Sequence, residues 1–330
     1  MPSLAVNGFL MELDFSESIK SAFDESAFTS FEVNDKQFGI GYSVETYGLV
    51  YNKDVISYDQ ISDLTWDEFF EFSKNFGTIE HKGSQMKAFI LNPKNMYFMY
   101  PIIRNYGGYY YGFDEEGNYN PYDIGLNNEG SKIYVNKIKE LMQFDLVARS
   151  RNCTDNDVSA AFANNQSAMI INGFWQNSFY TQKDVNFGFA PLPKNNDNTT
   201  SAPYATINGF VINAHTNFPD EAIAFLEFLC KDENQQKMIE AGNNFERKIG
   251  SRFPVNLSVL QSKYITSEPM YNVMAQICKN VEPVPNIPEG DIWYNYTDKA
   301  YQSIFYGDIN GNPLDSDNML DELASAILND

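Results

Sequence analysis

Cysteine is scarce. The 330 residues hold three, Cys153, Cys230 and Cys278, widely spaced and with no C-x-x-C pair. That pattern argues against a disulfide framework and against a zinc centre, and Cys230, at the end of the apolar run from Ala222 to Leu229, reads as core. Histidine is scarcer still. His81 and His215 lie in polar surroundings with no serine or cysteine beside them in a nucleophile motif, so both read as surface residues and a His-based catalyst has little to be built from. Basic side chains are few, 23 against 44 acidic, for a formal net charge of −21. The surplus is spread along the chain, and such a field repels phosphate backbones and anionic headgroups, so neither nucleic acid nor a membrane surface is an expected partner. No stretch approaches the ~18 apolar residues of a membrane span. The opening residues Met1 to Gly8 lack the basic start and apolar stretch of a signal peptide. Internal repeats, low-complexity tracts and Pro/Ser-rich tethers are missing too, which argues against a solenoid and against loosely strung domains.

Aromatics, by contrast, are plentiful at 15%, with 21 Tyr and 26 Phe against 3 Trp, and many tyrosines sit among polar residues. Such a composition suits a neutral, ring-shaped ligand. At 330 residues the chain also exceeds the roughly 250–300 at which single cores stop growing, so two lobes are expected. Short apolar runs alternate with longer amphipathic ones, the mark of an α/β fold. Gly39 to Tyr51 reads as a strand with a flexible middle. Thr65 is placed to cap a helix whose Asp67 and Glu68 suit its positive first turn and whose Phe69, Phe70 and Phe72 supply a buried side. Helices are expected over Tyr97 to Tyr106, stopped by Gly107-Gly108, over Gly130 to Val147, from Asp155, from Pro219 through Leu229, and over Met319 to Leu328. Ala168–Ile171, Val185–Pro191 and Gly209–Asn213 read as strands. Trp66, beside a cap and an acidic turn, is expected to pack in the core.

Asp308-Ile309-Asn310-Gly311-Asn312 looks superficially like a calcium loop, but its glycine is in the fourth place and the closing glutamate is absent, so it reads as a turn. Asp114 to Asn118 reads likewise. No metal site and no cofactor are expected.

Several segments together resemble the bacterial extracellular solute-binding proteins (family 1) of sugar ABC importers, and among these the maltose/maltodextrin binders. They are Tyr42-Ser-Val-Glu-Thr-Tyr-Gly-Leu-Val-Tyr-Asn-Lys-Asp54, Thr65-Trp-Asp-Glu-Phe69, Ala161-Phe-Ala-Asn164 leading to Ala168-Met-Ile-Ile-Asn-Gly-Phe-Trp175, Phe187-Gly-Phe-Ala-Pro-Leu-Pro193, and Val284-Pro-Asn-Ile-Pro288 before Trp293-Tyr294. Each is weak alone, whereas their order and spacing cover essentially the whole chain. The resemblance implies a two-lobed periplasmic binding protein type II-like α/β fold with hinge strands, closing over a sugar. One lobe would comprise 1–43 and 208–265, the other 48–205 and 266–330, with hinges near 43–48, 205–209 and 262–270. It further implies binding without catalysis, an oligosaccharide ligand, importer membrane subunits as partners, a monomer, and an extracytoplasmic place, in the periplasm or as a surface lipoprotein.

Carried over residue by residue, the family's sugar contacts fall on Glu45, Tyr97, Phe98, Trp175, Trp293 and Tyr294, with Asn95 a weaker candidate. A sugar ring has an apolar C–H face and a hydroxyl rim, so flat aromatic rings cover the face while carboxylates and amides take the rim. Asn95 stands where the maltodextrin binders place an acid, and Thr297 where they carry an arginine, so another oligosaccharide is the alternative ligand. The stretch Leu4 to Leu13 resembles a point well inside the family's N-terminal lobe, which implies an incomplete lobe without the family's targeting segment. The competing classes are a glycan-processing enzyme, for which 44 acids leave carboxylate pairs open while making accidental ones many, and an adhesive surface protein.

Overall fold

Gly39–Glu45 and Tyr47–Asn52 are consecutive strands with only Thr46 between them, yet they belong to different sheets. The run read as one strand with a flexible middle is thus a change of sheet, and it coincides with the passage from one compact unit to the other at Thr46/Tyr47. The computed structural model describes the backbone of residues 1–244 and 252–329, with side chains for all of these but 242–244, 288, 291–293 and 295.

The first unit comprises Met1–Thr46, Gly173–Gln182 and Ala205–Pro288. The expected lobe boundary at 265/266 therefore falls inside this unit, and 173–182 is grouped with it. Its four-stranded sheet runs Phe253–Pro254, Gly39–Glu45, Tyr204–Val211, Glu282–Pro283. Gly39–Glu45 pairs antiparallel with Tyr204–Val211, from Thr206 opposite Glu45 to Val211 opposite Gly39, with a register shift at Asn208/Gly209. Glycine is needed at the shift: a Cβ on Gly209 would stand 2.2 Å from the Phe31 ring and 2.5 Å from the Ile40 carbonyl. The helix Pro219–Cys230 buries Leu226 and Cys230 and leaves Ile223, Phe225 and Phe228 exposed.

The second unit comprises Tyr47–Asn172, Lys183–Tyr204 and Glu289–Asp330. Its five-stranded sheet runs Phe187–Ala190, Tyr47–Asn52, Ser167–Gly173, Ser84–Phe89, Thr78–His81. The mix of parallel and antiparallel pairs includes Ser84–Phe89 parallel to Ser167–Gly173 and antiparallel to Thr78–His81. Tyr47–Asn52 and Ser167–Gly173 are buried at every position, as expected of central strands covered on both faces.

Sequence-local rules hold well here. Thr65 caps Trp66–Phe76 through a full capping box with Glu68, and Thr154 does the same with Asp157 for Asp155–Ala163. Trp66 is fully buried and donates from Nε1 to Ser201 Oγ at 2.9 Å. Phe69 and Phe70 are fully buried, while Phe72 is half-buried. Asp308 and Asp114 accept hydrogen bonds from backbone amides of their own turns. One expectation fails. His81 is less open than expected: it is half-buried, its side chain 16% exposed, because the hairpin Thr78–His81/Ser84–Phe89 folds it toward Asp54, whose Oδ2 lies 3.9 Å from Nε2. His215 is exposed as expected.

Candidate functional site

In the second unit, Asn95 has a double task. It is the N-cap of Met96–Asn105, where its Oδ1 accepts from the Tyr97 and Phe98 amides at 2.9 and 3.4 Å. Its Nδ2 donates to Asp155 Oδ2, and Asn92 Nδ2 donates to the other oxygen, Oδ1, at 3.1 Å. The start of the aromatic helix is thereby tied to the start of Asp155–Ala163, sixty residues on.

These groups line one side of a cavity of about 240 Å³, closed by Lys94, Thr297, Asp298 and Tyr294. The helix Ile292–Tyr306 supplies the last three. Lys94 is deeply buried, its side chain 7% exposed, with Asp298 Oδ1 at 4.0 Å. Thr297 is buried and Tyr294 half exposed. Burial, then the charges of Asp155 and Asp298, raise the Tyr294 hydroxyl above its ordinary pKa. Cys153 also lines the cavity, and burial, helped by Asp157 and Asp155, pushes its thiol up to about 11. The wall thus offers an ammonium, two carboxylates, hydroxyls and a phenol ring. That set can meet the donors and acceptors of a polyol while a ring lies against it.

Behind this wall is a body of stacked tyrosines. Tyr97 is half-buried and Phe98 buried, and both lie against the fully buried Tyr47, at centroid distances of 4.9 and 5.1 Å. Tyr47 donates to the Tyr97 carbonyl and accepts from the Tyr204 amide. Phe98 is therefore a packing residue, whereas Tyr97 keeps part of its ring at the surface.

In the first unit, Glu45 ends its strand beside Arg252, with Nε 3.2 Å from Oε1, and the Arg252 guanidinium lies 5.6 Å from the centre of the Tyr42 ring. Trp175 is half-buried and lines the same hollow as Glu45 and Arg252. Its indole lies over Gly173, where a Cβ would stand 2.0 Å from the ring, so only glycine lets the indole lie flat on the backbone. Trp293 is in the first turn of Ile292–Tyr306, and its side chain lies outside the described residues.

Within the second unit, then, the fold brings Asn95 and Tyr294 to one cavity, and within the first it brings Glu45 and Trp175 to one hollow. Sequence reasoning missed Lys94, Asp155 and Arg252. Asp155 was visible only as a helix-start residue, and nothing local to Lys94 or Arg252 marks a site.

Residues 1–272 match the family described as bacterial extracellular solute-binding protein. The chain belongs to that family. As a solute-binding protein it is similar to the galactooligosaccharide-binding protein of Bacillus subtilis (strain 168), 26% identical over 302 residues, which are 91% of this chain and 68% of the relative. It is also similar to the maltooligosaccharide ABC transporter solute-binding lipoprotein of Streptococcus pneumoniae serotype 4, 22% identical over 293 residues, 87% of this chain and 65% of the relative. The chain thus spans about two thirds of the length of these curated relatives. In three dimensions it resembles the crystal structure of a cyclo/maltodextrin-binding protein complexed with maltotetraose, with a TM-score of 0.81 at 21% identity, covering 99% of this chain and 79% of that one. The likeness shows the fold, as expected: the two-lobed α/β fold of that binding protein. The family is one of binders, not of enzymes.

Proposed function

We propose that this chain is the ligand-binding component of a carbohydrate ABC importer and takes a neutral oligosaccharide of the maltooligosaccharide or galactooligosaccharide kind. The observation that carries the reading is the second unit's cavity, where Asn95, Tyr294 and Thr297 meet Lys94 and Asp155 although they come from three distant stretches of chain. Such a wall pairs an aromatic ring with alternating donors and acceptors, the chemistry of a sugar face and its rim. The names of the curated relatives supply the ligand class and the importer partner.

On this reading Asn95, Tyr97, Tyr294 and Trp293 contact sugar from the second unit, and Glu45 and Trp175 from the first. Phe98 supports Tyr97 from behind. The passages at 43–48 and 205–209 serve as hinges, and the protein works outside the cytoplasm as a monomer. A closed form that alone touches every part of the ligand would be favoured by its binding.

The test is titration calorimetry of the purified chain with maltotriose and galactotriose, with sorbitol as an open-chain control and product analysis afterwards. Saturable binding of a trisaccharide at micromolar level, about −8 kcal/mol, without any new product is the expected result. Absence of binding to both trisaccharides at millimolar concentration, or the appearance of a cleaved product, overturns it.

A further inference from the structure

We propose that Lys94 is the specificity-determining residue of the second unit's cavity, selecting a neutral saccharide whose adjacent hydroxyls can accept from an ammonium and donate to a carboxylate. The inference rests on the oligosaccharide reading and goes beyond it by naming the group that reads the ligand.

Lys94 is an unusual lysine. Its side chain is 7% exposed, but its Nζ makes no hydrogen bond among the described residues; Asp298 Oδ1, at 4.0 Å, is close enough to attract and too far to accept. Its Nζ keeps contact with the solvent of the cavity, and its three N–H donors find no protein acceptor among the described residues. The two asparagines of the wall are committed. Asn95 spends its oxygen on the helix cap and its amide on Asp155, and Asn92 spends its amide on Asp155 and its oxygen on the Lys94 backbone amide at 3.3 Å. Lys94 is thus an open donor of the wall, one residue before the helix cap at Asn95 and adjoining a space of about 240 Å³.

Charge decides the kind of acceptor. The cavity holds one ammonium against two carboxylates, Asp155 and Asp298, within a chain of net charge −21. A uronate or sulfated sugar would bring a further negative charge into that field and be repelled. A neutral sugar brings hydroxyls, each able to accept and donate. One hydroxyl can accept a hydrogen bond from Lys94 while its neighbour donates one to the half-buried Asp155 or the exposed Asp298, so one vicinal diol meets both the ammonium and a carboxylate.

The experiment compares wild type, Lys94→Met, Lys94→Gln and Asp298→Asn by calorimetry with maltotriose, galactotriose and a trisaccharide ending in a uronic acid, and checks each variant's fold by thermal unfolding. We expect wild type to bind a neutral trisaccharide and to reject the acidic one. Lys94→Met should weaken binding at least about tenfold, the loss of one hydrogen bond to a charged group. Lys94→Gln, which keeps a donor without the charge, should fall between, and it carries the test if the methionine variant does not fold. Asp298→Asn, which keeps an oxygen acceptor in the same place, should lose less affinity than Lys94→Met. If Lys94→Met or, failing that, Lys94→Gln binds as well as wild type, the inference is wrong while the oligosaccharide reading stands. It is equally wrong if Asp298→Asn loses as much as Lys94→Met, since Lys94 would then be a strut for the ion pair, or if the acidic trisaccharide is preferred. Wild type that binds no trisaccharide removes the oligosaccharide reading and this inference with it.

Discussion

Tyr100 and Tyr204 lie face to face in the second unit, ring centroids 3.9 Å apart and 12° from parallel, and neither ring is open to solvent. Tyr204 is the last residue of that unit before the chain passes to the other, and Tyr97, Tyr110 and Tyr100 all pack against it. The helix bearing the cap residue Asn95 is therefore held from behind by a dense aromatic body.

Tyr204→Ala should leave a cavity where a fully buried ring stood. By analogy with large aromatic-to-alanine changes in other cores it should cost about 3–5 kcal/mol, read as a shift in urea midpoint with unchanged slope. A loss below about 1 kcal/mol would mean the stack contributes little to holding this unit together.

Asn95→Asp keeps a good N-cap but replaces the amide that donates to Asp155 by a second carboxylate. At pH 7 the variant should be less stable than wild type by about 1.5–3 kcal/mol. Like-charge pairing raises a carboxyl pKa in the folded state above its unfolded value, so the deficit is present at high pH and shrinks as pH falls through the raised value. Urea unfolding at pH 7 and pH 5 should show the gap to wild type narrowing on acidification. A gap that widens contradicts the Asn95–Asp155 link.

The three thiols, Cys153 and Cys230 buried and Cys278 half-buried, should all be slow to ionise. Burial pushes Cys153 and Cys230 up to about 11 and Cys278 up to about 12, against an ordinary value of 9.0. Each folded-state value lies above the unfolded one, so this contribution to stability is complete below pH 9 and is lost as pH rises through 11 and 12. At pH 8 an aromatic disulfide reagent should react with the folded chain at least about tenfold more slowly than with the chain in urea. Prompt reaction of one thiol in the folded protein would identify a more open site there than the fold describes.

Glu45 and Trp175 separate a binding role from a packing one. The Glu45–Arg252 pair is partly exposed, so Glu45→Gln should change stability by less than about 1 kcal/mol. If Glu45 and Trp175 contact sugar, Glu45→Gln should still weaken trisaccharide binding, and Trp175→Ala should weaken it by about 1–3 kcal/mol, measured by calorimetry. Unchanged affinity in Trp175→Ala takes that residue out of the site.

Some of this protein was legible in the order of its residues. The cap at Thr65, the helix beginning at Asp155, the buried strand at Ala168–Ile171 and the packing of Trp66 follow from rules that act over a few positions, and the family's motifs recur in order. The helix read as Tyr97 to Tyr106 is observed at Met96–Asn105, and the strand read as Gly209–Asn213 at Tyr204–Val211, because neighbours elsewhere in the chain settle where hydrogen-bond ladders end. A hinge was expected near 43–48, but that the strands on either side of Thr46 join different sheets was not legible, since both halves of Gly39–Asn52 have the same strand-like pattern and only their partners differ.

What tertiary structure alone decided is which polar groups stand together. Local propensity depends on a residue's own backbone and its near neighbours, so a helix start can be read from the chain itself. The placing of a buried lysine beside Asp298, of Asn95 against Asp155, or of His81 toward Asp54 depends on where distant elements come to rest, and that is set by the packing of whole hydrophobic faces.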